Sequence, residues 1–113
     1  MELLLTEIAP NVCRVSLRGR GDAAGIDAVE TGLTQAVADA KRSALLDMRE
    51  VAFMGSLGIR MLIRVGRALA RGGAKLVLYG VQPMVMEVFE TMALAELIPI
   101  VPDEASALAL VRG

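Results

Sequence analysis

The residues with the most chemical potential lie in the run Met54-Gly55-Ser56-Leu57-Gly58. A hydroxyl between glycines can act as an activated nucleophile, line a phosphate cradle, cap a helix or accept a phosphoryl group. The first role needs a base, and the chain contains no histidine, which removes Ser-His-Asp and Cys-His catalysis together. The spacing also differs from a nucleophile elbow, where one residue separates the serine from each flanking glycine. No lysine follows Gly58 as in a phosphate-binding loop, and Gly19 and Gly21 lack the third glycine of a dinucleotide fingerprint. A helix cap and a phosphoacceptor remain open for Ser56.

Other polar groups cluster in sequence around it. Arg60, Arg64, Arg67 and Arg71 recur at spacings of four, three and four, so on a helix all four share one face. That basic stripe reads either as a solvated face, paired with Glu87 and Glu90 of the next helix, or as a surface that steers an acidic protein partner. Met54 and Leu57 flank the serine, and each suits either an exposed apolar rim or the core. Cys13 alternates with Val15 and Leu17 and reads as a small core residue rather than a reactive thiol. One cysteine and no histidine build no thiolate or imidazole metal site, and no calcium-loop spacing is present, so neither metal nor cofactor is expected.

The elements that must position these groups follow from periodicity. Leu3–Ile8 reads as a strand, turned at Ala9-Pro10-Asn11 into a second over Val12–Arg18. Gly19-Arg20-Gly21 ends it, and Asp22 caps a helix reaching about Ala40, with Ile26, Val29, Leu33, Ala36, Val37 and Ala40 as its buried stripe. Lys41–Asp47 is a third strand, buried on both faces. Ser56 falls at or next to the N-cap of a helix that buries Ile59, Leu62, Ile63, Gly66, Leu69 and Ala70 and stops at Gly72-Gly73. Ala74–Tyr79 is the fourth strand, joined to the third by a right-handed parallel crossover. A helix from Pro83 presents Val85, Val88, Phe89 and Met92 inward. Leu97–Val101 is an edge strand containing Pro99, and Asp103 caps a last helix through Leu110 with Glu104 in its first turn. Among the methionines, Met48, Met61 and Met92 are expected to fill core gaps. The expected fold is α/β: one domain with a mixed, mostly parallel sheet of about five strands and about four helices packed against it.

Composition narrows the function. The chain is 55% hydrophobic with 3% aromatic residues, enough for one aliphatic core that folds unaided. A net charge of −1 and the scarcity of aromatic side chains argue against a nucleic-acid surface. No apolar run reaches the length of a membrane span, and no signal-peptide core is visible, so a cytoplasmic protein without membrane insertion is expected.

Val51-Ala52-Phe53-Met54-Gly55-Ser56-Leu57-Gly58-Ile59 resembles the signature of STAS domains, and in particular of bacterial anti-sigma factor antagonists. In that family an acidic residue, Ser, a Ser or Thr, and Gly follow an aromatic-apolar pair; here Gly55 stands at the acidic position and Leu57 at the third. The resemblance implies a STAS fold and a non-enzymatic module whose Ser56 is phosphorylated by a partner kinase that is also the anti-sigma factor, with a phosphatase as a further partner. It places Asp22 on the surface shared with the motif serine, and the expected partner-binding residues are Asp22, Met54, Gly55, Ser56, Leu57, Gly58, Arg60 and Arg64. The alternative within the same family is an accessory subunit of a transporter or signalling complex, with Ser56 only capping its helix.

Overall fold

A computed structural model of the chain describes residues 1–39 and 41–112. The strands are β1 (Glu2–Ala9), β2 (Val12–Gly21), β3 (Ser43–Met54), β4 (Leu76–Tyr79) and β5 (Ile100–Val101), and the helices α1 (Ala23–Leu33), α2 (Ser56–Arg71), α3 (Pro83–Thr91) and α4 (Glu104–Arg112). The strands form one sheet in the order β1-β2-β3-β4-β5. β1 runs antiparallel to β2, and every other neighbouring pair is parallel. The expected mixed sheet of five strands with four helices is therefore what forms. Its main core gathers residues of α1, α2 and α3 against one side of the sheet, and Ala107 of α4 packs with Val12, Leu45, Val77 and Tyr79 on the other.

The expected boundaries need several corrections. β2 continues through Gly19-Arg20-Gly21, and β3 runs to Met54 instead of ending at Asp47, because the two strands keep pairing in parallel as far as Gly21 opposite Met54. Two register shifts place an extra residue in β3, between Asp47 and Glu50 and again between Val51 and Phe53. Each such bulge lets the following side chains change faces, so Met48, Val51 and Met54 all enter the core at intervals of three. Alternation is lost there, which hid the strand. After Leu33, α1 passes into a π-helical segment over Thr34–Asp39. Ile26, Val29, Leu33 and Val37 are buried as expected and Ala36 is half-buried, while Ala40 lies outside the described residues.

In α2 the buried set is Gly58, Ile59, Met61, Leu62, Val65 and Leu69; Ala70 is exposed, and Ile63 and Gly66 are half-buried. α3 is only nine residues long, so one pair four apart, Val85 and Phe89, reaches the core. Val88 and Met92 are exposed, contrary to expectation, and Leu94 in the following 3-10 turn fills the core instead. Met48 and Met61 are fully buried core residues, but Met92 is not. The last strand shrinks to Ile100–Val101, with Pro99 just ahead of it and its carbonyl accepting from Leu78 N at 3.0 Å. Asp22 and Asp103 both cap as expected, accepting from Gly25 N at 2.9 Å and Ser106 N at 2.8 Å. Cys13 is fully buried, and burial raises its thiol pKa, in keeping with a core role.

Asp47 is the one buried charged side chain among the described residues, 5% exposed. Burial alone would raise its pKa. Hydrogen bonds outweigh that: Asp47 accepts from Arg49 N and Nε at 3.0 Å, Arg49 Nη2 at 2.9 Å and Ser16 Oγ at 3.2 Å, and its pKa falls below the usual carboxylate value. Nearby, the hydrogen bond from Arg14 lowers the Glu104 pKa, and Tyr79 Oη donates to the same carboxylate at 3.1 Å. Burial, together with the neighbouring Asp47 and Glu104 charges, pushes the Tyr79 phenol up to about 12.

Two outcomes test this packing. Depressed folded-state carboxylate pKa values stabilise the fold above the unfolded values near 4, and that stabilisation is lost as pH falls through the folded ones. Asp47→Asn should therefore lower stability at neutral pH by about 1–3 kcal/mol and flatten the loss of stability between about pH 5 and pH 2. Urea titrations across that range check it, and parallel pH profiles for the two proteins would contradict it. At the start of α2, a Cβ on Gly58 would collide with Met54 Sδ and come within 3.2 Å of Ile26 Cδ1. Gly58→Ala should cost about 1–3 kcal/mol despite its better helix propensity, and should cost far less when Met54→Ala has already emptied the space. Additive losses in that double-mutant cycle would show that the two residues do not compete.

Candidate functional site

The surface around Ser56 is built where the ends of β2 and β3 meet the start of α2. Gly55 N donates to Gly21 O at 3.0 Å, tying the two strand ends together immediately before the helix. Gly55 is the N-cap in extended backbone, and Ser56 is the first helical residue. Ser56 is thus next to the cap position. No side chain caps α2, and no acidic residue sits in its first turn. The N–H groups of the first turn therefore have no side-chain cap, and the positive end of the helix dipole lies beside an exposed serine residue.

The two apolar residues flanking the serine separate. Leu57 is 46% exposed, whereas Met54 is 2% exposed beneath the strand ends. Gly58 is buried as well, since it supplies the space that Met54 Sδ occupies. Met54 and Gly58 are therefore corrected from contact residues to residues that set the height and direction of the loop. Gly55 is half-buried, and Asp22, Ser56, Leu57, Arg60 and Arg64 are exposed.

The structure brings those exposed residues onto one continuous surface. Asp22, Gly55, Ser56 and Leu57 line a shallow depression with Phe53 and Ala23. Leu57 and Ala23 also border the adjoining cleft between α1 and α2, which carries Glu30, Arg60 and Arg64. Arg60 and Arg64 lead on to Arg67 and Arg71. The depression beside Ser56 encloses about 240 Å³ and is smaller than a usual small-molecule site, so its shape suits contact with a protein surface.

Arg64 pairs with Glu30 of α1; among the described residues, neither Glu87 nor Glu90 pairs with the stripe. The arginine face is therefore solvated along most of its length, but the expected acidic neighbours are the wrong ones. Two surface residues went unread in the sequence. Phe53 is 38% exposed, and the Arg20 guanidinium lies 4.7 Å from its ring centroid and 3.8 Å from Asp22 Oδ2. The signal for Phe53 was present as a rare aromatic residue three positions before Ser56; Arg20 carried none, because its partner is brought near only by the β2–β3 pairing.

Known proteins resemble the chain along nearly its whole length. A Bordetella bronchiseptica protein named as an anti-sigma factor antagonist, BtrV, is 28% identical over 93 residues, spanning 82% of this chain and 80% of that protein. The crystal structure of an anti-sigma factor antagonist from Mycobacterium paratuberculosis superposes with a TM-score of 0.87 at 25% identity, covering 99% of this chain and 94% of the other. The Bacillus cell fate determinant SpoIIAA in its phosphorylated form shares the fold with a TM-score of 0.73 at 17% identity, covering 97% and 99%. Among the described residues no helix is long and apolar enough to cross a membrane. With residues 4–107 matching the STAS domain and the strand order and helices in agreement, the chain belongs to the STAS domain family.

Proposed function

We propose that this chain is an anti-sigma factor antagonist that acts by binding rather than by turnover, and that phosphorylation of Ser56 switches the binding. The kinase is the partner itself, an anti-sigma factor with serine-kinase activity, and a phosphatase restores the unmodified serine. The observation that carries this reading is the exposed Ser56 at the first position of an uncapped sixteen-residue helix, bordered by Leu57, Phe53 and the arginine stripe. A phosphate adds about −1.5 to −2 charge, and the free N–H groups of the first turn can receive it without disturbing the fold. The phosphorylated form of SpoIIAA, a protein of like fold, supports the same reading.

The effect of modification then belongs to the interface. A partner seated over Ser56 and Leu57 must desolvate the phosphate, and an uncompensated buried charge costs roughly 3–5 kcal/mol, two to three or more decades in affinity. Affinity capture with mass spectrometry identifies the partner and the state of Ser56 together. Calorimetry with that partner should show Ser56→Asp binding far more weakly at an almost unchanged melting temperature, while Ser56→Ala binds and resists phosphorylation. Equal affinities for wild type, Ser56→Asp and enzymatically phosphorylated protein would refute the switch.

The arginine stripe gives an independent expectation. Arg64 already holds Glu30, so reversing it would disturb the α1–α2 contact as well as the surface. Arg60 and Arg67 are the cleaner pair. Arg60→Glu with Arg67→Glu should slow association with an acidic partner and reduce its salt dependence, leaving the circular-dichroism spectrum intact. Unchanged stopped-flow association rates would return the stripe to a purely solvating role.

A further inference from the structure

The sheet ends differently at its two edges. At one, β5 is two residues long and lies between Pro99 and Pro102, neither of which has an N–H to offer a further strand. At the other, β1 runs for eight residues and contains no Lys, Arg or Pro. Its one irregularity is the register shift between Glu7 and Ala9, close to its C-terminal end. Every second residue of β1 turns its N–H and C=O away from β2, and among the described residues no other backbone group bonds to them. An open edge of this kind is a template for another strand.

The side chains indicate which strand. Leu4 is 55% and Leu5 38% exposed. Leu4 lies opposite Ser16, on the face of the sheet that carries α4, and Leu5 lies opposite Val15, on the face of the main core. Each face of this edge therefore ends in a leucine that its own chain leaves uncovered. In an antiparallel ladder a residue with outward N–H and C=O faces another of the same kind, so β1 laid against a second β1 matches even positions with even and odd with odd. Glu2 of one copy then never lies directly opposite Glu7 of the other. With Leu4 opposite Leu4, Leu3 meets Leu5 on either side and Glu2 meets Thr6. With Leu5 opposite Leu5, Leu3 would meet Glu7 and Glu2 would meet Ile8. The first register joins leucine to leucine at its three central positions and is the better matched.

We infer that β1 docks antiparallel against β1 of a second copy of this chain, with Leu4 on the two-fold axis, joining two five-stranded sheets into one of ten strands. A strand of another protein would gain the same backbone bonds, but the match of leucines in β1 with themselves singles out a second copy. The contact is smaller than the roughly 800 Å² per partner of a standard interface, so the dimer forms at high concentration and dissociates on dilution. Because the paired β1 strands run in opposite directions, the two Ser56 surfaces face opposite ends of the joined sheet. Each stays open to its own partner, and the pairing does not depend on the switch proposed for Ser56.

Sedimentation equilibrium of the full chain from about 1 μM to 1 mM should show reversible exchange between monomer and dimer. Leu4→Lys sets lysine directly opposite lysine and should weaken the dimer at least about tenfold, whereas Leu4→Val should keep it. Leu4 is exposed in the single chain, so both variants should retain the circular-dichroism spectrum of the wild type. Cross-linking reads the register. Opposed residues of an antiparallel pair have Cα atoms about 4.5–5.5 Å apart, within disulfide range. Leu4→Cys should therefore join two copies under mild oxidation, while Leu5→Cys and Thr6→Cys should do so far more slowly. Wild type, whose Cys13 is buried, should not cross-link. A wild-type protein that stays monomeric at the highest of these concentrations, a dimer indifferent to Leu4→Lys, or cross-linking that is fastest at Leu5→Cys or Thr6→Cys would overturn the proposal.

Discussion

Met54 pinned between two glycines is the contact on which the rest of the surface depends. A Cβ on Gly21 would lie 2.7 Å from Met54 Sδ and 3.0 Å from Phe53 O, and one on Gly58 would overlap the same sulfur. The end of β2, the end of β3 and the first turn of α2 approach closely only because those two positions have no side chain. Met54 in turn is the last residue of β3 paired with β2, so its burial fixes where the strand stops and the helix starts. From that follow the exposure of Ser56, the outward turn of Leu57 and the meeting of Arg20 with Phe53. A larger residue at either glycine would move the whole surface as a unit.

How much of this could be read beforehand differs by element. α2 was legible because its apolar positions recur over sixteen residues and the arginines mark the opposite face. The buried part of β3 was legible from Ala44, Leu45 and Leu46. Its continuation was not, since two bulges convert a period of two into the interval of three seen at Met48, Val51 and Met54. That information lies in β2, thirty residues away. α3 misled for a different reason: in a nine-residue helix the apolar set was wider than the contact, and periodicity cannot say which half of it the core takes. At the site, the resemblance to STAS domains pointed to Ser56 and Asp22 and helical spacing to the arginines, and the structure leaves these and Leu57 exposed, but the burial of Met54 and Gly58 needed the third dimension.

The molecule treats its charges in two ways. On the α4 side of the sheet, Arg14, Asp47, Arg49 and Glu104 are bound to one another and to Ser16 and Tyr79. Those groups are committed to the fold, and their altered pKa values record it. On the exposed faces of α2 and α3 most charges are left to solvent, basic on one helix and acidic on the other. Surface pairs contribute little to stability, so such segregation has little structural value. Segregated charge of this kind acts on encounter, since a basic face favours the approach of acidic surfaces and an acidic face that of basic ones.

Segregation also constrains how a phosphate on Ser56 would act. Arg60 stands four residues on, with about 5–6 Å between Cβ atoms, inside a screening length of roughly 8 Å at physiological salt. It can answer the phosphate within the same chain. Arg71 is fifteen residues away, about 22 Å along the helix, and is screened from it. The outer part of the stripe would therefore keep attracting an acidic partner after modification. Long-range repulsion cannot then be the main means of release. What remains is local: the desolvation of the phosphate beneath the partner and the withdrawal of Arg60 from it. A switch built this way acts on the lifetime of the complex far more than on the rate at which it forms, because the field that guides encounter and the groups that hold contact lie on different turns of the same helix.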